Sequence, residues 1–170
     1  SQFYVDESMV KSDAFFEDSG LTLDSPVTIS ASTKAKPVVI TATAHGFSDG
    51  DLVDIVDVVG MTEINDNRYR VIEKTANTFE IMATAGKPVS NATKANPGNI
   101  KAIAHGFETG NEVGFLSVGG MTQLNGNGFT VTKVDADNFT IGVDTSSYSA
   151  YTSGGLVYLN TDGSGFTTYT

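Results

Sequence analysis

The chain has 170 residues, with 10 Lys and Arg against 20 Asp and Glu, a formal charge of −10, no Cys and no Trp. That charge, with no basic run, repels phosphate backbones and excludes the counterion-releasing footprint of a nucleic-acid binder. The missing Cys removes disulfides, thiolate zinc sites and cysteine nucleophiles together, and apolar runs such as Val38-Val39-Ile40 fall far short of the roughly 20 residues of a membrane span.

In chain order, residues 1–30 come first and hold six acids and one base, so half of the net charge sits there. This acidic N-terminal arm is expected to be a docking or capping element. Within it, Glu7 to Phe16 reads equally as a short helix or as none. No signal-peptide n-region or h-region is visible at the start, and Ser1 reads either as the residue after a removed Met or as the edge of a fragment.

After the arm the sequence repeats itself. Ala44-His45-Gly46-Phe47 returns as Ala104-His105-Gly106-Phe107, 60 positions on, and this offset holds without a gap from Thr33–Ile81 to Thr93–Ile141. Gly60-Met61-Thr62 returns as Gly120-Met121-Thr122, and Asn65, Asn67, Val71, Phe79 and Ile81 return as Asn125, Asn127, Val131, Phe139 and Ile141. The two copies control each other, because positions that face a core stay apolar while their neighbours drift. Ile40, Ala42 and Ala44 pair with Ile100, Ala102 and Ala104, whereas Val39 and Thr41 become Asn99 and Lys101. Period two predicts strand. The same reading gives strands at Val53/Ile55, Tyr69/Val71 and Phe79/Ile81 and at Val113/Phe115, Phe129/Val131 and Phe139/Ile141.

About four short strands per copy, separated by Gly- and Asn-rich turns, predict an all-β chain of two tandem small β-barrel-like modules. The boundaries are 1–30 for the arm, 31–86 for module 1, 87–92 for a linker, 93–160 for module 2 and 161–170 for a C-terminal tail. The second copy carries an additional finish, Thr145 to Gly155 followed by the strand-like Leu156-Val157-Tyr158-Leu159. The first copy is read as lacking it.

Few residues offer chemistry. His45 and His105 are the only histidines. They occupy the same place in two modules with no second His or Cys nearby, so a backbone-bonding role at a turn is favoured over a metal site or a triad. Asp49-Gly50-Asp51, Asn65-Asp66-Asn67, Asp135-Ala136-Asp137 and Asp162-Gly163-Ser164-Gly165 have calcium-type oxygens without the spacing of an EF-hand. Asp49, Asp51 and Asp66 become Thr109, Asn111 and Gly126 in the second copy, which favours turn formation. No nucleophile elbow, P-loop or dinucleotide fingerprint is present. No catalytic, cofactor or metal residue is nominated. Tyr148, Tyr151 and Tyr158, with Tyr169, form a candidate aromatic surface for protein or host glycan. The alternative, tyrosines packing a closing strand onto the barrel, is favoured by the burial habits of this residue.

The succession H-G-F-x-x-G-x-x-V, G-M-T-x-[IL]-N-x-N, aromatic-x-V and A-[ND]-x-F-x-I, present from Thr33 to Ile81 and from Thr93 to about Leu159, resembles the first catalytic cysteine half-domain (FCCH) of ubiquitin-activating enzymes. The resemblance is to the form that recurs in tail-associated proteins of tailed bacteriophages. Phe15 to Pro26 and the finish from Tyr148 to Gly155 are similar to the segments flanking that form. Ubiquitin activation itself needs an adenylating nucleotide fold and a thioester cysteine, and these residues contain neither. The resemblance implies a non-enzymatic virion component, tail ahead of capsid, that docks on other virion proteins through its β-modules and is homo-oligomeric or ring-associated. A capsid decoration protein and a host-surface carbohydrate-binding module are the alternatives. The expected partners include no nucleic acid and no membrane.

Overall fold

The computed structural model describes residues 8–10 and 26–170. The described chain is all-β, its antiparallel sheets including a curled half-barrel. Two short 3-10 turns, Thr62–Ile64 and Thr122–Leu124, interrupt the strands. The chain divides into two units. The first comprises residues 1–84 together with Thr161–Thr170, and the second is Ala85–Asn160. The second module is thus inserted into the first, and residues 161–170, expected as a tail, belong to the first unit.

In the first unit, β1 (Ser8–Val10), β2 (Val27–Thr28), β3 (Ala31–Ser32), β4 (Val39–Thr41), β5 (Leu52–Ile55), β6 (Asn67–Ile72) and β7 (Thr78–Met82) form one sheet in the order β2-β1-β5-β6-β7-β4-β3. Every pairing is antiparallel. The predicted inward positions Ile40, Ala42, Val53, Ile55, Val71, Phe79 and Ile81 are fully buried, and Ile29, Val38, Met61 and Ile64 join them. Tyr69 packs against this core half-buried.

The second unit repeats this arrangement with β8 (Lys87–Pro88), β9 (Asn91–Ala92), β10 (Asn99–Lys101), β11 (Glu112–Leu116), β12 (Gly128–Thr130), β13 (Thr132–Lys133), β14 (Asn138–Thr140) and β15 (Leu156–Leu159). Here the strands fall into two four-stranded sheets, β13-β14-β10-β9 and β12-β11-β15-β8. The break at Val131 changes little. Val131 exchanges backbone bonds with Gly110 and Asn111, as Val71 does with Gly50 and Asp51. Ile100, Ala102, Val113, Phe115, Phe129, Val131, Phe139 and Ile141 form the core, with Val157 from β15.

Three expectations are corrected. Ala44 and Ala104 are exposed, because strands β4 and β10 end before them and the chain turns through positive φ, +52° and +49°. Residues 87–92, expected as a linker, hold β8 and β9, whose backbones pair with β15 and β10. Ile29, assigned to the arm, lies in the first core. Of the segment Glu7 to Phe16, residues 8–10 are strand and the rest lies outside the described residues.

The arm strand has a counterpart. Met9 pairs with Ile55 and Val27, and Val10 with Asp54. The residues sixty positions after those partners pair with β15, Phe115 and Lys87 with Val157 and Gly114 with Tyr158. Ser8–Val10 therefore takes the place in the first unit that Leu156–Tyr158 takes in the second. One unit borrows this strand from before its repeat, and the other from after it.

Candidate functional site

Each module presents a His-Gly-Phe corner. His45 and His105 are buried, and their Nδ1 atoms accept from the N–H of Phe47 and Phe107 at 3.0 and 2.9 Å. The ring proton is then on Nε2, which faces the carbonyl of Thr78 at 3.3 Å in one module and of Asp135 at 3.0 Å in the other. Each imidazole stacks on its Phe with centroids 5.3 and 5.4 Å apart, and meets Phe79 or Phe139 edge-on at 5.0 Å. Both ring nitrogens are used by backbone, so the rings hold a turn and offer no lone pair to a metal or a substrate.

The repeated polar residues have the same kind of duty. Asn65 bridges both backbone groups of Val58 at 2.8 Å, and Asn125 does so at Val118. Asn77 and Asp137 accept from the N–H of Ala44 and Ala104, fixing the positive-φ corner. Asp51 and Asn111 cap the N–H of Ser48 and Glu108, so the change from carboxylate to amide keeps the bond and loses the charge. This is the behaviour of turn residues. Among the described residues no three His, Cys, Asp or Glu side chains come together as a metal site would need.

The tyrosines do not form an exposed aromatic surface. Tyr158 is buried on β15, and Tyr148 and Tyr151 pack half-buried against the second core. The Tyr151 hydroxyl donates to the carbonyls of Val89 and Gly154, both at 3.0 Å. Tyr169 packs on the other core and donates to Ile29 at 2.9 Å. Their rings carry too much apolar area for a small module to leave in water, and the module uses them to close itself.

That closure reveals a second repeat that the 60-residue offset hides. Asp144-Thr145-Ser146-Ser147-Tyr148-Ser149-Ala150-Tyr151-Thr152 returns, 18 positions on, as Asp162-Gly163-Ser164-Gly165-Phe166-Thr167-Thr168-Tyr169-Thr170. The first copy therefore does have a finish, which reaches it after the inserted module. Val38 donates to Thr161, Gly163 to Ala35, Phe166 to Gly163 and Thr170 to Val59, all at 2.8 to 3.0 Å. The second unit has the same four bonds, Gly98 to Val143, Thr145 to Ala95, Tyr148 to Thr145 and Thr152 to Gly119. Tyr169 on Ile29 matches Tyr151 on Val89. Asp162 and Asp144 turn each segment by accepting from Ser164 and Ser146, hydrogen bonds that hold both carboxyls below their ordinary range.

The closing segments lie close against Gly60 and Gly120. A Cβ at Gly60 would stand 2.2 Å from the Thr168 carbonyl oxygen, and one at Gly120 would stand 2.1 Å from that of Ala150. The repeated Gly-Met-Thr is thus the floor of the groove that receives the finish. In the first unit Glu63 adds a contact, accepting from both the N–H and the hydroxyl of Thr167 at 2.7 and 2.8 Å. Its carboxyl is lowered, first by its own backbone N–H and then by Thr167. The equivalent Gln123 meets Ser149 at 3.3 Å.

Comparison with known proteins fits this repeat. The model of the ubiquitin-activating enzyme E1 FCCH domain matches residues 35–90 and again 96–160, more than half of the chain. The chain belongs to the E1 FCCH domain family. Human ubiquitin-like modifier-activating enzyme 6 is 36% identical over 86 residues, 46% of this chain and 8% of that protein. The rabbit ubiquitin-like modifier-activating enzyme 1 is 45% identical over 73 residues, 41% of this chain and 7% of that protein. Ubiquitin-activating enzyme E1 2 of Arabidopsis thaliana is 38% identical over the same length. The FCCH chain thus spans less than a tenth of the curated relatives it matches. What it shares with them is a module-sized segment, and in this chain His45, Asn65 and Gly60 hold turns of that module.

Proposed function

We propose that this FCCH protein is a non-catalytic structural adaptor of a bacteriophage particle, associated with the tail, which docks on neighbouring virion subunits through its β-modules. The observation that carries the reading is that the recurrent polar side chains of both modules are bonded to their own backbone. What remains for partners is outer faces and sheet edges. Strands β2 and β3 end the seven-stranded sheet, and an edge strand pairs readily with a neighbouring chain. Duplication supports the same reading, since two weak contacts on one chain reinforce each other through effective concentration. Ubiquitin activation is not proposed, because the shared segment is a small part of the curated relatives and the chain has no Cys. Tyr158 is buried and Tyr148 and Tyr151 are half-buried against the second core, which weakens the case for a glycan-binding face.

The test is the copy number and position of the chain in purified particles, by quantitative mass spectrometry with imaging of labelled virions. A few to a dozen copies at one vertex is the expected result. Hundreds spread over the shell would make it a capsid decoration protein. Absence from the particle would overturn both.

A further inference from the structure

The two closing segments share their backbone bonds and exchange large for small at one contact. In the second unit Thr145 fills the space over Gly98, where an added Cβ would lie 2.5 Å from its Oγ1 and 2.6 Å from its Cγ2. In the first unit the sizes are exchanged. Val38 stands where Gly98 does and Gly163 where Thr145 does, and a Cβ on Gly163 would lie 2.4 Å from Val38 Cγ2. Such an approach is far inside contact distance, and a branched Val has few rotamers with which to retreat. The same added atom would lie 3.0 Å from the Ala35 carbonyl oxygen and 3.2 Å from that of Thr33. These are the counterparts of Ala95 and Thr93, to which the Thr145 hydroxyl donates at 3.0 and 2.6 Å. The pocket for a threonine is therefore present in both units, and in the first it is shut by the Val38 methyl.

We propose that Val38 with Gly163, and Gly98 with Thr145, are a size-complementary key that decides which closing segment each groove accepts. The first groove is a peptide-recognition site for Asp-Gly-Ser-x-aromatic-x-x-Tyr-Thr. It rejects the otherwise matching Asp-Thr-Ser-x-aromatic-x-x-Tyr-Thr, which is the finish of the other module. Two near-identical grooves and two near-identical segments in one chain create a mispairing hazard, and a large-for-small exchange removes it by making one wrong pair, Val38 with Thr145, clash and leaving the other, Gly98 with Gly163, with a void. The first groove needs this more, because its segment follows the inserted module in sequence. The inference concerns assembly of the molecule and holds whatever the particle role proves to be.

The test is a double-substitution cycle in the full chain, read by amide hydrogen exchange at Gly163 and Thr170. Gly163→Thr should lower protection of residues 161–170 by about tenfold or more, and adding Val38→Gly should recover most of that loss. A double variant no better protected than the two single effects combined overturns the key. Because Gly163→Thr frees the first groove, the same full-length variant is titrated with labelled 161–170 peptide and with that peptide carrying Gly163→Thr. The natural peptide should bind about tenfold more tightly or better than the substituted one. Equal binding of the two peptides, or binding of neither, overturns it. Should Gly163→Thr unfold the first unit, recovery in the double variant decides the question alone.

Discussion

The Tyr169 hydroxyl donates to the Ile29 carbonyl at 2.9 Å across 140 positions of sequence, joining the segment after the inserted module to the one before the first repeat. Tyr151 makes the equivalent bond to Val89 across 62 positions. Removing the hydroxyl while keeping the ring isolates this bond. Tyr169→Phe should cost about 1 kcal/mol, confined to the first unit, and Tyr151→Phe a similar amount confined to the second. Amide exchange resolved by unit checks both, and an effect shared equally between units would contradict the assignment.

Glycines of the same sign of φ should respond differently. Gly46 and Gly106 have φ of +74° and +75° with open space where a Cβ would go. Alanine there meets only the left-handed cost, about 1 to 2 kcal/mol. Gly60 and Gly120, at φ +89° and +79°, would also drive a Cβ into a carbonyl oxygen of the closing segment. Gly60→Ala and Gly120→Ala should therefore cost clearly more, about 3 kcal/mol or above, and should raise exchange in 161–170 and 144–152 respectively. Thermal unfolding of the four variants orders them.

The neutral histidines are expected to be Nε2–H tautomers, visible as such in long-range nitrogen–proton correlation spectra. His105→Phe leaves the buried Phe107 N–H without its acceptor. The loss should be about 1 to 3 kcal/mol of stability. A δ tautomer at either site would undo the account of the corner given above.

Acid should loosen the closing segments. Glu63, Asp144 and Asp162 are each held below their ordinary range, Glu63 chiefly by its own backbone N–H and the two aspartates chiefly by Ser146 and Ser164. Asp135 is lowered too, by the N–H of Asp137 first. A carboxyl with a depressed folded value contributes stability that is present above its unfolded pKa and lost as pH falls through the folded one. The contribution of these carboxyls should be fully present above about pH 5 and be lost as pH falls below about 4. Glu63→Gln should make the fall shallower, measured as the unfolding midpoint against pH; all these groups are exposed, so each effect is small.

Much of the fold was legible in the residues. The 60-residue repeat exposed the core faces at Ile40, Val53, Val71, Phe79 and Ile81, because burial on one face leaves a period-two trace that duplication makes plain. The arm strand Ser8–Val10 left no such trace, since three residues set no period. The finish of the first module was hidden for a different reason. Its partner lies at an offset of 18, and Asp, Ser, Tyr and Thr are common enough that the match between 144–152 and 162–170 shows only once the hydrogen bonds align them. Ala44 was misread because a small residue satisfies an apolar pattern and a positive-φ corner equally well.

The insertion can be reversed. In the second unit the chain runs Ile141-Gly142-Val143 into its finish, with Gly142 at φ +72°. In the first unit Thr161 takes the place of Val143, donating to Ile81 at 3.0 Å and accepting from Val38 at 2.9 Å. Residues 82–160, the end of β7 together with the second module, thus occupy the place of one glycine. A chain in which a single Gly replaces residues 82–160, joining Ile81 to Thr161, should fold into a single module, tested by dispersed amide spectra and cooperative unfolding. A molten product would mean that the first unit depends on its insert.

A ribosome makes these parts in a fixed order, and nesting turns that order into a schedule. The inserted module has all its pieces once Asn160 has emerged, while the module that began earlier still lacks Asp162 to Thr170. The piece started first is completed last. Until that segment arrives Gly60 lacks the backbone that covers it, and an incomplete module is the kind of species that chaperones and proteases meet during synthesis.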